Sequence, residues 1–242
     1  MTPFVAEFLG TMVLVLLGGG VCANVALDKT NGNNSGWIVV TMGWAMAVFA
    51  GVFIASHGSD AHLNPAVTIG FAMAGKIKGT GLIMQYLAAQ FLGAALGAFL
   101  VWVQYKDHYA ETADGPTKLG TFATAPAIRN PLTNLIGEAI ATFLLVFGCF
   151  HIAGATVGAE SASLGALNGL PVALLVLAIG LSLGGNTGYA INPARDLSPR
   201  IMHAILPIPR KGDSDWGYAW VPVVGPILGG IVAALVFKAL GA

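Results

Sequence analysis

The stretch Asn192-Pro193-Ala194-Arg195-Asp196, echoed at Asn64-Pro65-Ala66-Val67, decides how the rest of the chain is read. Asn is a favoured N-cap, because its side-chain oxygen accepts from a free backbone N–H of the first helical turn. Pro at the first helical position has its φ already set and no N–H to leave unpaired. Each Asn-Pro therefore starts a helix. After Asn64 the apolar run Ala66, Val67, Ile69, Phe71, Ala72, Met73 lasts only about ten residues, roughly half of what a bilayer crossing needs. A helix that begins in an apolar context and is too short to cross is a re-entrant half-helix, with its positive end at membrane depth. One Asn-Pro-Ala alone reads as a capped helix in a turn. Two in corresponding halves of a membrane chain are the mark of an inverted repeat.

The chain is 56% hydrophobic and 9% charged, with 33 glycines, and so few charges cannot cover the surface of a soluble domain. It is read as an integral membrane protein in contact with the lipid bilayer. Net charge is zero and no basic patch stands out, so no nucleic-acid partner is expected. Cys22 and Cys149 both lie in apolar runs and read as small buried hydrophobes rather than a disulfide or metal pair. The start Met1-Thr2-Pro3-Phe4 has no basic n-region, so the first apolar run is expected to stay as a transmembrane helix.

In order, the spans read as Phe4–Ala26, Trp37–Ser56, Leu82–Val103, Leu132–Gly154, Leu170 to about Gly184, and Tyr218–Leu240. The half-helices read as Pro65 to about Ala74 and Pro193–Met202. Between them lie a polar loop at Asp28–Gly36, a long polar stretch at Gln104–Asn130, a small-residue loop at Ala155–Asn168 and a polar loop at His203–Gly217. The halves match by motif. Glu7-Phe8-Leu9-Gly10-Thr11 answers Glu138-Ala139-Ile140-Ala141-Thr142, and Gly93 and Gly97 of the third span face Gly225 and Gly229 of the sixth. Three spans per half is an odd number, so the copies have opposite orientation and bring the half-helices in from opposite faces. The reading is a single transmembrane domain over 1–242, with repeats roughly at 1–105 and 131–242 joined by 106–130. Its fold class is all-α, with six transmembrane helices and two re-entrant half-helices in an inverted repeat.

Charge bias points one way and the resemblance below the other. With the N-terminus inside, the inner loops and tail carry Lys76, Lys78 and Lys238, while Lys29, Lys106, Lys118, Arg129, Arg210 and Lys211 fall outside. The positive-inside rule favours the reverse.

The polar residues at membrane depth need reasons. Arg195 must face a cavity or a partner. Asp196 is adjacent in sequence but points about 100° away around the half-helix, so a pore-lining Arg195 is the reading adopted over a structural pair. Glu7 and Glu138 occupy equivalent places. They act either as a proton relay or as acceptors for backbone N–H groups that lipid cannot satisfy, and their repetition beside each broken segment favours the second role. His57, Asp60 and His62 lack further ligands to complete a shell, so no metal is expected, and His62 is expected to hydrogen-bond loop backbone at one pore mouth. No nucleophile elbow, phosphate loop or paired catalytic carboxylates occur in the sequence, so no enzyme, catalytic residue or cofactor is expected.

The paired motifs, the flanking Ala61-His62-Leu63-Asn64-Pro65-Ala66-Val67-Thr68 and the two glutamates resemble the aquaporin (major intrinsic protein) family over nearly the whole chain. Asn192-Pro193-Ala194-Arg195-Asp196-Leu197-Ser198-Pro199-Arg200 is similar to the glycerol facilitator (aquaglyceroporin) branch, as are Asp196 after the motif Arg, Arg200 four further on, and Pro222-Val223 in the last span. The resemblance implies a homotetramer with one pore per subunit, in a cell membrane with both termini cytoplasmic. It implies a constriction formed by Trp44, Gly180, Tyr189 and Arg195, where Tyr189 departs from the branch's usual Phe and adds a hydroxyl.

On that reading Trp44 and Tyr189 form an apolar corner, Arg195 donates to solute hydroxyls, and Gly180 leaves width. Asn64 and Asn192 use their oxygens on the half-helices and point their NH₂ donors into the pore, where both helix dipoles aim positive potential. The expected function is a passive channel for glycerol and water that excludes protons and ions. Urea, lactic acid, dihydroxyacetone and hydrogen peroxide are candidate further solutes. The alternatives are a water-selective aquaporin, a broken-helix secondary transporter and an intramembrane metalloenzyme.

Overall fold

The computed structural model describes residues 1–152, 155–157, 160–162 and 164–241. Six apolar helices set its architecture. They are α1 (Pro3–Ala26), α2 (Trp37–Ala55), α4 (Thr80–Gln104), α7 (Pro131–His151), α8 (Leu170–Thr187) and α10 (Val221–Ala239), and all are long and apolar enough to cross a membrane. At 1.5 Å per residue their 18 to 25 residues rise about 27 to 37 Å, which matches a hydrocarbon core of about 30 Å. Two helices begin at Asn-Pro and are too short to cross: α3 (Pro65–Met73, 9 residues) and α9 (Pro193–Ile205, 13 residues). The chain is a multi-pass membrane protein.

Sequence explains most of the starts. The Thr2 hydroxyl accepts from the Val5 amide ahead of Pro3, and Asn130 accepts from the Thr133 amide ahead of Pro131. Five stretches differ from the sequence reading, one being the last span, which begins at Val221 rather than Tyr218 because Tyr218–Trp220 form a turn. The polar 104–130 segment contains two one-turn helices, α5 (Lys106–Glu111) and α6 (Gly115–Gly120), the latter capped by Asp114. The 155–168 loop holds a short antiparallel ladder, Ala155–Val157 against Glu160–Ala162, and a 3-10 turn at Gly165–Gly169. The helix α9 continues past Met202 to Ile205, so His203 is buried in a helix rather than lying in a polar loop. And α8 runs to Thr187, where Gly188 ends it in the left-handed region at φ 79°.

Close packing without charge needs small residues. The tightest pairs are α1 with α4 and α7 with α10. A Cβ on Gly93 would lie 2.3 Å from the Phe8 carbonyl, and one on Gly229 would lie 2.3 Å from the Ala139 carbonyl. Phe8 follows Glu7 and Ala139 follows Glu138, so the structural equivalent of Gly93 is Gly229, one turn away from the register expected from sequence. Nor do these glycines face each other across the molecule. Gly93 and Gly97 each admit the backbone of α1, and Gly225 and Gly229 that of α7. The halves interlock through the half-helices. The first-half α3 rests on α10, with Gly230 admitting the Ala66 carbonyl at 2.6 Å, and the second-half α9 rests on α4.

Adding a methyl at Gly93 or Gly229 is therefore expected to cost about 1–3 kcal/mol, the overpacking range. Gly93→Ala and Gly229→Ala should lower the apparent thermal midpoint in detergent, whereas Gly20→Ala, where nothing lies within 4 Å, should not.

Candidate pore and constriction

The segments entering the half-helices are extended, non-helical and buried at membrane depth, where each backbone N–H must find a protein partner. Ala61 (φ 52°), Leu63 (φ 52°), Tyr189 (φ 40°) and Ile191 (φ 45°) occupy the left-handed region. They stand three and one residues before Asn64 and before Asn192. Non-glycine residues there cost about 1–3 kcal/mol each and persist only where neighbours hold them.

Two carboxylates hold them. Glu7 of α1 accepts from the His62 amide (2.9 Å), the Leu63 amide (2.7 Å), Ser59 Oγ (2.8 Å) and Gln90 Nε2 (2.8 Å). Glu138 of α7 accepts from the Ala190 amide (2.9 Å), the Ile191 amide (2.8 Å) and Thr187 Oγ1 (2.6 Å). Charge-assisted bonds of this kind are worth about 1.5–3 kcal/mol each, the size the strained loops require. Both oxygens of each carboxylate are engaged as acceptors, which suits bracing and leaves no oxygen facing a proton path.

The two N-caps meet at the centre. Asn64 Oδ1 accepts from the Ala66 amide (2.9 Å), and Asn192 Oδ1 accepts from the Ala194 (3.0 Å) and Arg195 (3.2 Å) amides. Pro65 and Pro193 follow as the first helical residues. The expectation that both NH₂ groups simply point into the pore is corrected. Asn64 Nδ2 donates to the Ile191 carbonyl (2.7 Å) and Asn192 Nδ2 to the Leu63 carbonyl (2.8 Å), each across to the other half. Each amide thus uses one hydrogen to lock the junction and keeps one, and both asparagines line the cavity.

That cavity, about 240 Å³, is predominantly apolar. Trp44, Tyr189 and Arg195 wall it toward the 104–130 segment. Asp60, Cys149, Ile152 and Asn168 wall it toward the 152–168 segment. Asn64 and Asn192 sit between. The Arg195 guanidinium lies over the Trp44 indole at 3.9 Å from the ring centroid, and Arg195 Nη1 donates to the Phe122 carbonyl at 3.4 Å. Asp196 turns away. It accepts from the Thr124 amide and hydroxyl (both 2.7 Å) and pairs with Arg200 at 2.9 Å, the pair being fully buried. Arg200 donates onward to the Ser214 and Thr124 carbonyls, both at 2.8 Å, so this pair ties together the loops that carry Thr124 and Ser214.

Of the four expected constriction positions, three meet in the wall and Gly180 does not. The Tyr189 ring covers it. A Cβ at Gly180 would lie 2.8 Å from Tyr189 Cζ, and one at Gly184 2.5 Å from Tyr189 Cδ1. Width at Gly180 is thus taken by the tyrosine, whose hydroxyl is buried with no hydrogen-bond partner among the described residues. Trp37 fixes this corner, meeting Tyr189 edge-on at 5.8 Å while its Nε1 donates to the Gly180 carbonyl at 3.1 Å.

His62 departs from expectation. Its ring Nδ1 pairs with Thr68 Oγ1 (3.1 Å) inside α3, and only its backbone amide meets the loop brace. The ring packs between Phe71 and Tyr86 and lines the cavity. His57 turns to the Phe53 carbonyl at 3.1 Å, and Asp60 accepts from Tyr86 Oη at 3.3 Å, on the ring that His62 meets edge-on. Sequence reasoning missed Gly18, Gly184, Thr124 and Gln90. Only Gly18 left a signal, four residues before Cys22 on one helix face.

The model of the family described as Major intrinsic protein matches residues 1–237. The "Glycerol uptake facilitator protein" of Streptococcus pneumoniae (strain ATCC BAA-255 / R6) is 52% identical over 238 residues, 98% of this chain and 99% of that one. The "Probable glycerol uptake facilitator protein" of Thermotoga maritima matches to the same degree, 52% over 238 residues with 98% and 99% coverage. The X-ray structure of the aquaglyceroporin from Plasmodium falciparum superposes with a TM-score of 0.84 at 31% identity, covering 99% of this chain and 96% of that one.

The braces generate a test. In Glu138→Gln one oxygen still accepts while the amide nitrogen faces the Ile191 or Ala190 N–H. Solute flux per folded protein should persist, and the thermal midpoint should fall. In Glu138→Leu both amides are orphaned at about 1–3 kcal/mol apiece, and folded yield should be lost. Folded Glu138→Gln protein with unaltered stability would contradict the bracing geometry.

Proposed function

The chain belongs to the major intrinsic protein family, and from that premise we propose that it is a passive channel for glycerol and other small neutral solutes, also passing water and excluding protons and ions. Members of this family of facilitators are channels, not enzymes. One observation carries the reading: a single cavity has Arg195, Trp44 and Tyr189 at one end and passes between the two half-helix N-termini. The indole and phenol rings offer an apolar wall to a carbon backbone, and Arg195 offers N–H donors to hydroxyls. The remaining N–H of Asn64 and of Asn192 meets a passing oxygen as an acceptor at the centre. Both helix dipoles place positive potential there, which interrupts a proton-conducting chain and repels H₃O⁺. Tyr189 offers the cavity its ring, its hydroxyl being buried on the Gly180 side. Urea, lactic acid, dihydroxyacetone and hydrogen peroxide are small enough to be tested alongside glycerol.

In this reading 1–242 is one channel domain of two inverted repeats, about 1–105 and 131–242, joined by 106–130. Four subunits assemble as a homotetramer in the cell membrane with both termini cytoplasmic. An even number of spans supports placing the termini on one side.

Glycerol flux into proteoliposomes, followed by stopped-flow light scattering, should be linear in the gradient and indifferent to proton or sodium gradients. Flux that stops when those gradients collapse would reject a passive pore.

The filter has its own test. Gly180→His must displace the Tyr189 ring, because even a Cβ would lie within 2.8 Å of it, and should lower glycerol flux far more than water flux. Arg195→Val should keep neutral solutes passing while admitting a small proton leak, since the half-helix dipoles remain. A pH-sensitive dye inside the liposomes reads the leak. Equal slowing of water and glycerol by Gly180→His would show that these positions do not form the filter.

A further inference from the structure

The indole of Trp44 carries one polar hydrogen, and where it points decides what the filter wall is. The side chain is 5% exposed and closely packed. Gly18 of α1 meets its six-membered ring, where a Cβ would lie 2.2 Å from indole Cε3 and Cζ3. The Arg195 guanidinium lies 3.9 Å from the ring centroid. What remains to be fixed is the direction of the edge that carries the N–H. Nε1–H points away from the cavity to Cys22 Sγ at 3.3 Å, within the range for a sulfur acceptor. Cys22 stands one turn after Gly18 on the same face of α1, so one face of α1 supplies both the seat for the ring and the acceptor for its hydrogen.

We propose that Cys22 is a positioning residue for solute selectivity: its sulfur holds the Trp44 N–H out of the pore, so that the tryptophan wall is wholly apolar and donation is left to Arg195. The inference rests on the filter reading above. An indole N–H without an acceptor in an apolar span is an orphaned buried donor. Trp44 lines the cavity, where passing solute oxygens would bind such a donor. A second donor beside Arg195 would hold water as well as it holds a hydroxyl and would remove the apolar face that a carbon backbone needs. Cys22 touches neither solute nor cavity wall in this account and acts only through Trp44.

The test compares Cys22→Ala, Cys22→Ser and wild type in proteoliposomes, reading the glycerol-to-water permeability ratio, which is independent of yield. Cys22→Ala should lower the ratio about 3- to 10-fold, the factor carried by one net hydrogen bond. Cys22→Ser restores an acceptor and should return the ratio toward wild type. An unchanged ratio in Cys22→Ala overturns the proposal. So does a Cys22→Ser variant as altered as Cys22→Ala, which would make the effect one of volume. The second readout is the ultraviolet resonance Raman band for indole N–H hydrogen bonding, assigned to Trp44 by its loss in Trp44→Phe. It should shift in Cys22→Ala, and no shift overturns the proposal even if the ratio changes. A wild type that passes no glycerol would defeat the filter reading, and the Raman band would still decide whether Cys22 holds the indole.

Discussion

A helix broken at membrane depth exposes backbone amides to a solvent that cannot hydrogen-bond them, and that constraint organises the molecule. Glu7 and Glu138 answer it. Each reaches from the first span of its half into the non-helical segment before a half-helix and takes two consecutive amides. The cost of burying a carboxylate is offset by the number of donors it collects. Because those amides are held, Leu63 and Ile191 stay in the left-handed region, and their carbonyls are presented to the asparagine of the opposite half. The central junction therefore depends on two side chains that lie outside the cavity wall.

Glycine does for the spans what the glutamates do for the loops. It allows approaches that any side chain would forbid, between Gly93 and the Phe8 carbonyl and between Gly229 and the Ala139 carbonyl. These contacts fall one residue after each glutamate, so the same helix turn that carries the brace is clamped against the last span of its half. Brace and clamp share a turn, and a shift in one moves the other. Gly18, Gly180 and Gly184 use the same freedom differently, as seats for the Trp44 and Tyr189 rings.

Much of this was legible in the sequence because the signals are repeated or costly. Two Asn-Pro starts, two glutamates in apolar runs and one arginine at depth each demand a physical reason, and the reasons converge. Contacts between distant segments were not legible. Nothing local to Gly180 says that Tyr189 will lie over it. Nothing local to Asn64 says that its NH₂ will give one hydrogen to Ile191. The register of the glycines failed by one turn because glycines recur at four-residue spacing in both spans, and only the backbone they admit tells which is which. Several of the cations that the charge count weighs are engaged with loop backbone or with a carboxylate. Lys118 is spent on the Pro209 carbonyl, Lys211 on the Ala204 and Leu206 carbonyls, and Arg129 on Asp215, so they serve the fold of the loops.

The arrangement around Arg195 explains how a cation is kept at depth without being neutralised. An arginine in the first turn of α9 sits at the unfavourable, positive end of the helix. Asp196 beside it looks like the remedy, yet its two oxygens are taken by Thr124 and Arg200. Among the described residues Arg195 makes no ion pair; it has one carbonyl and an aromatic face. A guanidinium tolerates this better than an ammonium, because it is weakly hydrated and stacks on rings. The remaining N–H groups face a cavity that can supply water or hydroxyl oxygens in their place. Had Asp196 paired with Arg195, the cavity wall there would be electrically neutral and its donors occupied. By giving the aspartate to Arg200 instead, the fold keeps its buried charge balanced in the loops and leaves one uncompensated positive charge at the cavity wall. That supports both halves of the proposed selectivity, attraction for hydroxyls and refusal of cations.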